Sequence, residues 1–100
     1  MTFNVIEEGN KLTGVMDGRL DTAAAVQFAE QLKIMMDNAD KDLVLDMEKL
    51  TFISSSGLRL LLSLRKESMA KGGTVTIANV SPEVKQVFTI TGFYTLFQFK

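Results

Sequence analysis

The chain reads as an α/β protein, with a mixed sheet of four to five strands and three main helices. Three observations predict this. Short runs rich in Val, Ile and Leu alternate with longer segments whose apolar residues recur every three or four positions, which is the pattern of strands interleaved with helices. Gly9-Asn10 separates the first two strand-like runs, a two-residue hairpin signal that makes the opening pair antiparallel. Ser81-Pro82-Glu83 and Gly72-Gly73 punctuate the second half as a helix start and a helix stop.

Taken in order, residues 3–8 carry Phe3, Val5 and Ile6 and form the first strand. Residues 11–16 form the second. Asp17-Gly18-Arg19-Leu20 breaks the pattern as a loop. Asp21 or Thr22 then caps a helix over residues 22–36, whose apolar stripe is Ala25, Phe28, Ala29, Leu32 and Met36. Residues 42–47 form a third strand, and the run Leu43-Val44-Leu45 makes it central, with both faces covered. A loop over residues 48–52 follows, with Leu50 and Ile53 tucked inward. The second helix spans residues 56–70 and stops at Gly72-Gly73. Residues 74–78 alternate Val and Ile with Thr as a fourth strand. The third helix starts at Ser81-Pro82, presents Val84, Val87, Phe88 and Thr91 on one face, and ends at Gly92. Residues 96–99 form a short last strand or an extended tail.

Length and composition narrow the function. One hundred residues suit one domain, residues 1–100, with one modest core. Eleven basic against twelve acidic residues give a net charge of -1, so there is no electrostatic case for nucleic acid. Cysteine is absent, which removes disulfides, thiolate metal sites and a cysteine nucleophile, and fits a reducing compartment. Histidine is absent too. That takes away the commonest general base and metal ligand and leaves no Ser-His-Asp triad. The remaining catalytic route, a serine nucleophile with Lys49 as base, is a minor alternative, and the chain is read as not an enzyme. The N-terminus lacks a basic region followed by an apolar stretch, and no apolar run approaches the ~20 residues of a membrane span. The expectation is a cytoplasmic protein without direct membrane contact.

The chemistry concentrates at Ser54-Ser55-Ser56-Gly57-Leu58. Three hydroxyls precede a leucine-rich helix, at a place where backbone N–H groups lack internal partners. Ser56 is then either a helix cap only, or a cap that is also a phosphorylation switch. Arg59, in the first turn, can pair with such a phosphate or with a partner's carboxylate. On the helix, Leu58, Leu61, Leu62 and Arg65 share one face. Leu60 and Leu64 lie partly off it, which means either a broadly buried helix or an exposed apolar strip for a partner protein. Gly18-Arg19-Leu20-Asp21 is a loop and cap, or a second wall of the same surface. Asp46 and Glu48 flank the strand end, but without a third ligand they are a weak metal candidate, and no metal or cofactor is assigned. Met35, Met36 and Met47 read as core filler.

Residues 46–58, Asp-Met-Glu-Lys-Leu-Thr-Phe-Ile-Ser-Ser-Ser-Gly-Leu, resemble the signature segment of STAS domains, specifically the bacterial anti-sigma factor antagonists. Gly18-Arg19-Leu20-Asp21 is similar to the family's earlier Gly-x-Leu-Asp segment. Ile90-Thr91-Gly92-Phe93 with Leu96-Phe97 resembles its C-terminal segment. Many members carry Asp where this chain has Ser54. The resemblance covers nearly the whole chain and implies a single-domain STAS-like fold. It also implies partners: an anti-sigma factor serine kinase, bound so that a sigma factor is released for transcription, and a serine phosphatase. The phosphoacceptor it implies is Ser56, with Ser55 second and Ser54 third. The partner surface it implies comprises Gly18 to Asp21 and Ser54, Ser55, Ser56, Gly57, Leu58, Arg59 and Leu60. A second role found among STAS domains is an accessory subunit of a membrane lipid-transport complex. Oligomeric state is left open.

Overall fold

The computed structural model describes residues 1–100. Five strands form one sheet in the order β1-β2-β3-β4-β5: β1 Thr2–Glu8, β2 Lys11–Leu20, β3 Asp42–Ile53, β4 Thr74–Ala78 and β5 Gln98–Phe99. Only the β1–β2 pair is antiparallel, closed by Gly9-Asn10 with Gly9 at φ 60°. The other three pairs are parallel. The helices are α1 Thr22–Gln31, α2 Lys33–Asp37, α3 Ser55–Lys71 and α4 Pro82–Thr91, followed by a 3₁₀ turn at Phe93–Leu96. Each parallel strand is added beyond the last, and right-handed crossovers made in one direction put the intervening helices on one face of the sheet.

Alternation along the strands builds the core. On β2, Leu12, Met16 and Leu20 are buried; on β3, Leu43, Leu45, Met47, Leu50 and Ile53. They meet Phe28 and Leu32 of the first helical segment, Leu58, Leu61 and Leu64 of α3, and Val84 and Phe88 of α4. Edge-to-face ring pairs, Phe3 on Phe28 at 5.0 Å and Phe88 on Phe97 at 5.8 Å, close the two ends.

Four expectations require correction. Residues 48–52 are strand, not loop. The partner registers Val15↔Asp46, Asp17↔Lys49, Gly18↔Leu50 and Arg19↔Phe52 make β3 advance faster than β2 twice, so it carries two bulges. The bulges break the period of two, and the broken period looked like a loop. The Asp46 carboxylate accepts from the Glu48 N–H at 3.1 Å beside the first bulge, and the Thr51 hydroxyl donates to the Gly18 carbonyl at 3.1 Å beside the second. Residues 17–20 likewise continue β2, with Gly18 at φ 108°, a conformation glycine adopts without a Cβ penalty. The first helix is interrupted at Leu32, and the turn it inserts buries Met35 and leaves Met36 only half-buried. The second helix starts one residue earlier than expected, at Ser55. By contrast β4 and the Ser81-capped, Gly92-terminated α4 stand where their local signals put them.

Candidate functional site at the mouths of two helices

β2 and β3 lie side by side and end together, Leu20 opposite Ile53. A helix leaves each end, α1 after β2 and α3 after β3, so two helix N-termini open on the same edge of the sheet. The carboxyl ends of parallel strands are where α/β folds place their sites. The two mouths are built alike. The Asp21 carboxylate accepts from the Ala24 N–H at 2.8 Å, and the Ser54 hydroxyl accepts from the Gly57 N–H at 3.2 Å. The Ser54 N–H in turn donates to the Leu20 carbonyl at 2.8 Å, which ties the start of α3 to the end of β2.

This geometry corrects the expectation that Ser56 caps the helix. Ser54 is the cap, with φ -85° and ψ 168°, and Ser55 and Ser56 are the first two helical residues. Among identical hydroxyls, the choice was made by where β3 stops pairing with β2. The Ser56 hydroxyl is thereby free of the capping role. Ser55 is exposed and Ser56 half-buried.

Between α1 and α3 lies a groove of about 360 Å³ lined by Thr22, Ala25, Val26, Ser56, Arg59 and Leu60. Its one charged residue is Arg59. Val26, 74% exposed, is an apolar side chain on the solvent side of α1. The helical stripe assigned to residues 22–36 left Val26 out. An apolar β-branched residue on a polar face was the signal that could have found it.

The remaining residues of the expected partner surface divide by burial. Leu20, Gly57 and Leu58 face inward, with Leu20 fully buried and Leu58 3% exposed, so they support the wall of the site and cannot touch a partner directly. Gly18 is half-buried and Arg19 exposed; the Arg19 guanidinium lies 4.5 Å over the Phe52 ring, a cation–π contact at the same edge. Leu60 lines the groove, whereas Leu64 is fully buried. The buried face of α3 runs through Leu58, Leu61, Leu64 and Ser68, rotated from the expected Leu58–Leu61–Leu62–Arg65 face. Lys49 is exposed in the body of β3, opposite Asp17. The Asp46 carboxylate is engaged by the Glu48 N–H and by the Asn79 side-chain amide at 3.4 Å, and no group of three metal-ligating side chains gathers anywhere in the chain. No helix is long and apolar enough to cross a membrane.

Comparison with known proteins converges on one family. The STAS domain profile matches residues 4–100. A proposed anti-sigma factor antagonist of Bordetella bronchiseptica, BtrV, is 33% identical over 86 residues, covering 86% of this chain and 74% of its own. A STAS-domain containing protein of Pseudomonas aeruginosa is 31% identical over 91 residues, covering 91% and 89%. Among solved structures, the anti-sigma factor antagonist SpoIIAA in its unphosphorylated form superimposes with a TM-score of 0.74 at 22% identity, covering 99% of this chain and 87% of that one. A phosphorylated form of SpoIIAA superimposes with the same TM-score.

Proposed function

The chain belongs to the STAS domain family, and from that premise we propose that it is an anti-sigma factor antagonist: a non-enzymatic protein that binds an anti-sigma factor serine kinase, and so frees a sigma factor, until that kinase phosphorylates Ser56. A serine phosphatase resets it. The observation that carries this reading is the division of labour at the start of α3. Ser54 caps the helix, and Ser56 lies on the wall of the groove between α1 and α3 with its hydroxyl outside the cap.

The physics of the switch follows from that position. A phosphate adds about −1.5 to −2 charges and three acceptor oxygens. At the second residue of a helix it sits at the positive end of the helix dipole, where negative charge is stabilising by roughly 0.3–1 kcal/mol. The fold therefore tolerates it. A partner seated on Val26, Leu60 and Arg59 does not, because docking would bury a dianion against a surface shaped for a neutral hydroxyl. A penalty of about 3 kcal/mol weakens binding roughly a hundredfold.

The test is calorimetric titration of the cognate anti-sigma factor kinase with the parent protein and with Ser56→Asp. The variant is expected to lose about a hundredfold in affinity while keeping its circular dichroism and Tm; unchanged affinity overturns the switch. Intact-mass analysis with fragmentation of protein isolated from its host locates the phosphate. Recovery on Ser55 in place of Ser56 would move the acceptor by one residue. Copurification with transporter subunits in place of a kinase would assign the chain to a lipid-transport complex.

A further inference from the structure

On the footing of the antagonist reading, we infer that phosphate on Ser56 closes the groove from within, by capturing the Arg59 guanidinium that otherwise receives a carboxylate of the partner. The argument begins with the charges in the groove. Arg59 is the only charged residue among the six that line it, and no acidic side chain shares the recess. The ion pairs of the chain are Lys33–Glu30, Lys41–Glu7 and Lys71–Glu67, so Arg59 has no counter-ion. The neighbouring Arg19 is occupied over Phe52. A planar guanidinium at the rim of an apolar recess suits a bidentate carboxylate. Beside it, Val26, Ala25 and Leu60 offer room for an apolar side chain. The surface thus fits a protein segment that presents an Asp or Glu next to an aliphatic or aromatic residue.

The second step is the spacing. Ser56 and Arg59 are three apart on α3 and both line the groove. Residues three apart on a helix are surface neighbours, their Cβ atoms roughly 5–6 Å from each other. A phosphate on Ser56 is therefore within reach of the same guanidinium that the partner's carboxylate needs. Once Arg59 is engaged, the groove presents net negative charge where it presented positive charge, and an incoming carboxylate is repelled. Inactivation by capture differs in its consequences from inactivation by bulk. Capture makes the effect of the phosphate depend on Arg59.

The deciding measurements use the protein with phosphoserine installed at residue 56. The second pKa of the phosphate, read by ³¹P NMR titration, is expected to lie about half a unit or more below its value in the Arg59→Gln variant, since an adjacent opposite charge favours the dianion. Arg65→Gln, an identical charge change further along α3, is expected to leave the pKa in place. The Arg59 Nε–H resonance is expected to titrate with the same midpoint as the phosphorus signal. Equal pKa values in the parent and Arg59→Gln proteins, or an Arg59 resonance indifferent to phosphate ionisation, overturn the inference. Binding supplies a second arm. Arg59→Gln in the unphosphorylated protein is expected to weaken kinase affinity about tenfold, and Ser56→Asp added to it is expected to cost well under its hundredfold effect in the parent. Multiplicative losses overturn capture. The NMR arm needs no partner, so its failure leaves the antagonist reading to the calorimetric test of Ser56→Asp alone.

Discussion

Gly57→Ala sets two physical effects against each other at the start of α3, and the sign of the outcome tests the account of the site. Intrinsic propensity favours the change: alanine in place of glycine inside a helix gains roughly 0.5–1 kcal/mol. Packing opposes it. A Cβ on Gly57 would stand 2.8 Å from both Cγ and Cδ2 of Leu20 and 3.1 Å from Cγ1 of Ile53. Ordinary contact begins at 3.4 Å, so these neighbours must retreat by roughly half an ångström. Leu20 is fully buried and Ile53 is 2% exposed, so neither has solvent to move into. Overpacking of this kind costs about 1–3 kcal/mol. The net expectation is a loss of about 1 kcal/mol, which lowers Tm by roughly 4–8 °C in a domain of this size. Urea denaturation gives the free energy directly. Leu20→Ala supplies the control: by removing both overlapping atoms, Cγ and Cδ2, it should make the double variant more stable than the sum of the single losses by at least about 0.5 kcal/mol. A Gly57→Ala protein more stable than the parent, or strictly additive losses, would refute the close packing of α3 on the ends of β2 and β3. The same substitution displaces the first turn of α3, and with it Ser56 and Arg59.

Further predictions follow from the same contacts. Ser54→Ala removes the cap and should cost about 1 kcal/mol in urea denaturation, whereas Ser54→Asp keeps a capping acceptor and should match the parent or exceed it. Ser56→Ala should shift stability by less than about 0.5 kcal/mol, since that hydroxyl takes no part in the cap; a loss as large as that of Ser54→Ala would show the capping assignment to be wrong. Gly73→Ala should be severely destabilising by thermal melt, because its Cβ would collide with the Ala39 carbonyl oxygen and lie 2.6 Å from that of Lys41, both backbone atoms. Ser81→Ala should cost about 2 kcal/mol: the buried hydroxyl donates to the Leu50 carbonyl at 2.6 Å and accepts from the Val84 N–H, and the change orphans the first and uncaps α4.

The parts of this fold that were legible in the sequence are those specified by neighbouring residues. Gly9-Asn10 dictates its own turn, Ser81-Pro82 and Gly92 delimit α4, and the Thr/Val/Ile alternation of residues 74–78 is β4 to the residue. The second half of β3 was illegible because its partner is thirty residues away. Residues 48–53 are extended only because residues 17–20 lie beside them, and the two bulges that reconcile the strands erase the alternation that would have announced them. The face of α3 was misjudged for a related reason. A helical wheel gives a face but not the angle at which the helix settles, and contact with both α1 and β4 turns Leu64 into the core while Leu60 reaches the groove. At the site, the motif located the junction, but which of three serines caps could not be read from composition. That depends on the hydrogen bond between the Ser54 N–H and the Leu20 carbonyl.

The cap itself, the Ser54 hydroxyl accepting from the Gly57 N–H, also accounts for the one departure from the resembled motif. Ser54 stands where the signature that residues 46–58 resemble carries Asp, and an exchange between hydroxyl and carboxylate beside the proposed phosphoacceptor looks like a change of chemistry. As a helix cap it is not one, since Ser and Asp are near-equal acceptors for the third N–H of a helix. The position is held for its geometry. A capping acceptor two residues ahead of Ser56 holds the helix together, so Ser56, the proposed phosphoacceptor, has no capping duty to lose. If one serine did both jobs, every phosphorylation would also perturb the start of α3. With Ser54 as the cap and Ser56 as the proposed acceptor the jobs fall to different residues, and a doubly charged group could come and go on the groove wall at little cost to the fold. A regulator needs that property if its off state is to be reversible.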